Sequence, residues 1–179
     1  SYPGLTTKLL AKKATKVLIV NDDARKHLPK NIKTIVTGTP VRDKIINFKN
    51  EDIRAKFGLN ENPTILSFGG SLGANSINKV MSEIIIKKDN NFNFIHGFGK
   101  KGHSFLEDLQ NNGIDYKNNS RYIIKEYIDN MDECLALADL VICRAGATTL
   151  SEIQAVCKPA ILIPSPNVAE NHQYHNAMT

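Results

Sequence analysis

Two short stretches carry the residue types that could grip an anionic ligand. The first is Thr64-Ile-Leu-Ser-Phe-Gly-Gly-Ser-Leu-Gly-Ala-Asn-Ser-Ile-Asn78, an apolar run that ends in Gly69-Gly70-Ser71-Leu72-Gly73 before a helix from about Ala74. Glycines let a backbone turn tightly and approach a ligand, and a helix start offers N–H groups without partners and a partial positive charge. That combination suits a diphosphate, with Gly70 and Gly73 as points of close approach and the Ser71 hydroxyl as an added donor. The spacing is neither G-x-G-x-x-G nor a Walker loop, so an ordinary glycine-rich strand-to-helix turn is the alternative.

The second stretch is Cys143-Arg-Ala-Gly-Ala-Thr-Thr-Leu-Ser-Glu152, where another apolar run ends and a helix is expected to open at Thr148-Thr149. One reading sets the Ala147–Thr149 N–H groups on a phosphate, with Glu152, one turn further, accepting from a ribose diol. The other makes Thr149 and Glu152 a capping box for their own helix. Both remain open from the residues alone. A third group, Pro164-Ser-Pro-Asn-Val-Ala-Glu-Asn-His-Gln173 with Asn176 beyond it, offers neutral donors and acceptors suited to sugar hydroxyls. His172 and His175 have no further ligand at usable spacing, so no metal is expected. Arg42 could meet a phosphate or form a salt bridge. His96 and His103, which flank a Gly/Lys loop, are expected as plain surface residues. No Ser–His–Asp order and no paired catalytic carboxylates emerge, so the chain reads as a holder of a nucleotide-linked ligand.

What must position these residues is an alternation of strands and helices. The runs 17–20, 35–37, 64–68, 92–96, 121–124, 140–143 and 160–163 read as strands; 5–14, 53–57, 76–86, 104–111, 131–138 and 150–156 have helical spacing. Such alternation implies an α/β fold, a Rossmann-like doubly wound parallel sheet, and ligands then sit outside the carboxyl ends of its strands. A boundary is expected near Gly38–Arg42. Residues 1–42 look like the tail of a preceding domain plus a linker, and 43–179 like a nearly complete second domain cut short in a last helix that begins at Asn171.

The 179 residues fit one domain and part of another, and 41% hydrophobic content suffices for a core. No apolar run is long enough to span a bilayer. The +5 charge comes largely from Lys, in patches at Lys8, Lys12, Lys13 and Lys16 and at Lys87, Lys88, Lys100 and Lys101. Without Trp or interleaved aromatics these patches disfavour nucleic acid as a partner; an anionic membrane surface is the charged partner they would suit. Cys134, Cys143 and Cys157 lack metal spacing and are expected as buried, reduced thiols.

Gly69-Gly-Ser-Leu-Gly-Ala74, Cys143-Arg-Ala-Gly-Ala-Thr-Thr-Leu-Ser-Glu152 and Asn171-His-Gln173 closely resemble the MurG family. So do Pro3-Gly-Leu-Thr-Thr-Lys-Leu-Leu-Ala11 and Gly38-Thr-Pro-Val-Arg42. That family transfers GlcNAc from UDP-GlcNAc to the C4 hydroxyl of lipid-linked MurNAc-pentapeptide, converting lipid I to lipid II in peptidoglycan synthesis. The resemblance covers the whole chain, but the chain covers about half of the family's length. It implies a GT-B glycosyltransferase of which residues 43–179 form the UDP-GlcNAc-binding domain, preceded by a stub of the acceptor domain.

By the same resemblance Arg42 and Ser71 would contact the diphosphate and Ile128 the uracil. Ala147, Thr148, Thr149, Leu150 and Ser151 would line the phosphates and nucleoside. Glu152 would take the ribose, and Gln173 the GlcNAc hydroxyls, with His172 and Asn176 as further candidates. Lipid I and the catalytic base would belong to the amino-terminal half. The resemblance also implies a metal-free donor site, no cofactor, and a cytoplasmic protein peripheral to the inner face of the cell membrane. This chain alone would be inactive, and a non-catalytic nucleotide-sugar-binding or interaction module is the alternative. Leu72, Thr39 and Cys157 depart from the Gln, Asn and Gly common at those places.

Overall fold

The computed structural model describes residues 3–49, 52–87, 91–168 and 171–178. Lys88, and Ala169 and Glu170 of the Pro164–Gln173 segment, fall outside them. In chain order the elements are α1 (Leu5–Ala11), β1 (Val17–Ile19), a 3-10 turn (Asp22–His27), β2 (Thr34–Val36), α2 (Asp43–Ile46), α3 (Ile53–Lys56), β3 (Thr64–Phe68) and α4 (Asn75–Ile86). They continue with β4 (Asn93–Gly97), α5 (Ser104–Asn111), β5 (Tyr122–Lys125), α6 (Met131–Leu137), β6 (Leu140–Cys143), α7 (Ala147–Ala155), β7 (Ala160–Leu162) and α8 (His172–Ala177).

The chain divides into two compact units. One comprises Ser1–Val41 with Ala145–Ser151 and Pro164–Thr179; the other comprises Arg42–Arg144 with Glu152–Ile163. The break at Val41–Arg42 lies beside the boundary expected from the sequence, whereas the grouping of the two later segments with the first was not expected. In the first unit β1 and β2 pair in parallel, and Ala11, Ile19, Ala24 and Leu28 form a small buried cluster. Leu5, Leu9, Leu10 and Leu18 remain exposed.

The second unit is a parallel five-stranded sheet in the order β5-β4-β3-β6-β7. The chain starts at β3, winds outward through β4 and β5, then returns to the far side of β3 for β6 and β7. Two neighbouring strands, β3 and β6, thus lie where the winding direction reverses. β3 and β4 are buried almost throughout, as the inner strands of a parallel sheet are. On one face, Ile77, Met81 and Ile85 of α4, spaced by four, pack with Phe105 and Leu109 of α5 against Ile65 and Phe94. Cys134, Leu135 and Leu137 of α6 are buried outside that cluster, where α6 meets β3 and carries α2 and α3.

Three helices leave through the same exit. At α3 and α5, Gly58 (φ 65°) and Gly113 (φ 68°) take the left-handed position, with bonds from Leu59 N to Arg54 O and from Ile114 N to Leu109 O closing the turn. At α7 the equivalent bonds run from Cys157 N to Gln154 O and from Lys158 N to Ile153 O, but the left-handed residue is Cys157, at φ 52°. Cys157 is exposed, contrary to expectation: a helix exit puts its side chain in solvent. A Cβ costs roughly 1–2 kcal/mol in this conformation, partly offset by the extra unfolded-state entropy of glycine. Cys157→Gly should therefore raise stability by about 1 kcal/mol in urea unfolding; an unchanged midpoint would refute this. Cys134 and Cys143 are buried as expected, and burial pushes both thiols up to about 12.

Candidate functional site

The strands that precede the two glycine loops, β3 and β6, are neighbours and end at the same end of the sheet. β3 and β6 pair in register, Phe68 opposite Cys143, so Gly69 and Arg144 are the first residues beyond adjacent strand ends. From there Arg144 donates to Ser76 Oγ (3.1 Å) in the first turn of α4 and to Ile163 O (3.1 Å) just beyond β7. One guanidinium thus ties the start of α4 to the residue that follows β7.

The first corner is a turn closed by Gly73 N donating to Gly70 O (3.0 Å). Gly70 (φ 90°) is exposed, and a Cβ there would meet nothing within 4 Å. Gly73 (φ 84°) differs: its Cβ would fall 2.2 Å from Phe98 O, so this glycine admits the loop after β4. Lys100 N and Lys101 N donate to Ser71 O and Leu72 O and bind the two loops edge to edge. Ser71 is exposed at the tip, and α4 starts behind it at Asn75.

At the second corner α7 opens at Ala147, ahead of the expected start. Leu150 N donates to Gly146 O (3.0 Å), and Ser151 Oγ donates back to Ala147 O (3.1 Å). Thr149 therefore sits inside the helix, and the capping box is overturned. Ala147, Thr148 and Thr149 occupy the first turn, where N–H groups have no partner within the helix. Glu152, buried at 7% exposure, instead accepts from Arg42 Nε through Oε1 (2.9 Å). The salt-bridge reading of Arg42 is the one realised, with a residue 110 positions away.

The remaining candidates are held individually. Gln173 accepts from Ser165 N through Oε1 (2.9 Å), and Asn176 donates to Ala145 O (3.1 Å), both within the first unit. His172 opens α8 and is exposed. The Ile128 side chain is buried (6%) against Gly97, so any base contact at this position falls to its backbone. A cavity of about 670 Å3 lies between α2 and the start of α6, with Arg42, Asp43, Asp129 and Asn130 in its wall. Thr39 Oγ1, where the resemblance has Asn, is buried without a hydrogen-bond partner. Among the described residues no group of three or more His, Cys, Asp or Glu could hold a metal ion.

His96 is the residue that the sequence misleads on. It is not a surface loop residue but lies fully buried at 0% in β4, between Ser67 Oγ (2.8 Å from Nδ1) and Asn78 Oδ1 (3.2 Å from Nε2). The run 92–96 reads as a strand, but the histidine that ends it belongs to the core and not to the loop that follows. His103 is exposed as expected, 3.7 Å from Glu126.

A parallel sheet that winds outward from β3 to β5 and back through β6 to β7 defines an α/β domain of the Rossmann type. The model of the glycosyltransferase family 28 C-terminal domain matches residues 64–179, and the chain belongs to that family. Among its relatives, the UDP-N-acetylglucosamine--N-acetylmuramyl-(pentapeptide) pyrophosphoryl-undecaprenol N-acetylglucosamine transferase of Desulforamulus reducens is 40% identical over 99% of this chain and 49% of its own length. Its counterpart in Bacteroides fragilis is 42% identical over 99% of this chain and 47% of its own. The crystal structure of Acinetobacter baumannii MurG superposes with a TM-score of 0.64 at 27% identity, over 99% of this chain and 47% of that one. A glycosyltransferase from Rickettsia africae, 17% identical with a TM-score of 0.54, shares the fold. The chain spans about half the length of the curated relatives it matches.

Proposed function

We propose that this chain is the donor-binding half of an inverting hexosyltransferase that moves GlcNAc from UDP-GlcNAc to the C4 hydroxyl of lipid-linked MurNAc-pentapeptide. The observation that chiefly supports this is the β3–β6 register. It sets Gly69 and Arg144, the residues that open the two loops, just beyond adjacent strand ends at the switch point, where open α/β sheets bind nucleotides. The names of the relatives supply the chemistry, and the motifs at Gly69–Ala74 and Cys143–Glu152 supply residues suited to it.

In this reading the Ser71 hydroxyl meets the diphosphate, and the first-turn N–H groups of α7 are donors of the kind a phosphate takes. UDP departs as the sugar–phosphate bond breaks through an oxocarbenium-like state, and preorganised donors stabilise the charge that collects on the leaving group. No metal is assigned to that task. Glu152 accepts from the ribose diol, and Arg42, expected on the diphosphate, is given the further task of orienting that carboxylate through Oε1. The uracil meets the backbone at Ile128, and Gln173, with His172 and Asn176, faces the sugar.

Acceptor binding and the base that deprotonates the attacking hydroxyl are assigned to the half of the relatives this chain does not match. The chain alone should bind donor and transfer nothing. No helix among the described residues is long and apolar enough to cross a membrane. The proposed location is peripheral, at the inner face, where exposed Lys12, Lys13 and Lys16 would add attraction to anionic lipid.

Titration calorimetry tests the donor site. UDP and UDP-GlcNAc should give weak saturable binding and NAD none, with Glu152→Gln lowering affinity about tenfold, the scale of one charged hydrogen bond. Equal silence for all three ligands, with the chain folded, would remove the reading.

A further inference from the structure

Beneath the Gly70–Gly73 turn runs a chain of polar groups that no ligand contact explains. Ser67, His96 and Asn78 are 0%, 0% and 4% exposed, in a core otherwise built from Ile77, Met81, Phe94 and Phe105. Its proton arrangement can be worked out. Asn78 Nδ2 donates to Phe98 O (3.0 Å), because a carbonyl can only accept; that turns Asn78 Oδ1 toward His96, whose Nε2 must donate (3.2 Å). Nδ1 is then the acceptor, and Ser67 Oγ donates to it (2.8 Å). One neutral tautomer satisfies all three of these side-chain contacts.

The far end of this chain is a wall of the first corner. Phe98 O, held by Asn78, is the atom that a Cβ on Gly73 would strike at 2.2 Å and one on Gly102 at 2.1 Å. Gly99 is as close, its absent Cβ 2.0 Å from Gly73 N. The turn that carries Ser71 therefore rests, backbone on backbone, against a carbonyl whose direction is set from the core.

We propose that His96 is a positioning residue: the relay from Ser67 through His96 and Asn78 to Phe98 O fixes the place of the Gly70–Gly73 turn and so of the Ser71 diphosphate contact. This rests on the donor-site reading for its consequence, but not for its geometry. A core histidine that served only packing would be replaced by an apolar ring of similar size without disturbing the turn. The relay predicts otherwise.

The test compares the whole chain with His96→Phe and His96→Gln. Phenylalanine fills the space but breaks both bonds; glutamine can keep a donor toward Asn78. His96→Phe should shift the Gly70, Ser71 and Gly73 amide resonances, speed their hydrogen exchange, and weaken UDP binding about tenfold. His96→Gln should restore affinity to within about threefold of the parent. If His96→Phe does not fold, Asn78→Ala breaks the link next to the turn and should give the same pattern. Unchanged corner amides and unchanged exchange in a folded variant overturn the proposal. Disturbed corner amides in a chain that binds no UDP at all would instead support the relay and sink the donor reading.

Discussion

Gly99→Ala is expected to remove about 4 kcal/mol of stability, or to leave no folded protein, although the change adds one methyl group at a loop. The new Cβ would lie 2.0 Å from Gly73 N and 2.3 Å from Gly73 Cα, and Gly99 already sits at φ 76°. Neither obstacle can rotate away, because both are backbone. The loop that would have to retreat is tied by Lys100 N to Ser71 O and by Lys101 N to Leu72 O. Left-handed strain of about 1–2 kcal/mol adds to an overpacking term of similar or larger size. Gly70→Ala is the control: φ is 90° there but nothing lies within 4 Å, so only the conformational part of about 1–2 kcal/mol should appear. Urea unfolding of both variants measures the difference. A Gly99→Ala chain within about 1 kcal/mol of the Gly70→Ala chain would show that the two loops are not wedged together.

The seven strands among the described residues were legible because five of them lie in one parallel sheet whose inner members are buried on both faces, leaving short apolar runs between polar helices. The corner after β3 was legible for a related reason: Gly69-Gly70-Ser71-Leu72-Gly73 stands between an apolar run and an amphipathic helix. Composition does not reveal which glycine serves what. Gly70 and Gly73 look alike in the sequence, yet one faces open space and the other the Phe98 carbonyl from the loop after β4. The start of α7 was misplaced because Thr-Thr followed by Glu152 mimics a cap, while the helix begins on Ala147, which gives no cap signal. Arg42 and Glu152 could not be paired from the sequence, since nothing local links positions 110 apart. The short helix α2 has too few turns for periodicity to register.

His96 shows why a single polar residue at the end of an apolar run is hard to place. Ser67 and His96 are each the last polar residue of their strands, and only the β3–β4 register, Ser67 opposite His96, shows that they share a face. Knowledge of the strand order would have been enough to bring them together. Asn78 would still have been missed, because its side chain reaches the pair from the first turns of α4, among residues that are otherwise apolar on that face.

The buried histidine also sets a pH window for stability. Burial pulls the His96 pKa down from 6.5 to about 4, outweighing a hydrogen bond to the Ser67 backbone that favours the imidazolium, and the ring's other contacts, Ser67 Oγ, Asn78 and Phe105, carry no charge. Above pH 6.5 the ring is neutral in both folded and unfolded chains and contributes no pH dependence. As pH falls below 6.5 the unfolded chain takes up a proton that the folded chain refuses until about 4. Stability therefore declines through this interval and levels off below it. The interval of about 2.5 pH units corresponds to roughly 3 kcal/mol. Carboxylates titrate near the lower end, so the histidine's share is read as a difference: the parent should lose about 3 kcal/mol more than His96→Gln between about pH 7 and pH 4 in urea unfolding. Parallel stability curves for the two proteins would mean that the folded chain accommodates the imidazolium, and the single-tautomer relay would then be wrong. A difference confined to about pH 4–6.5, with the glutamine variant gaining on the parent as acid is added, is the result the buried ring requires.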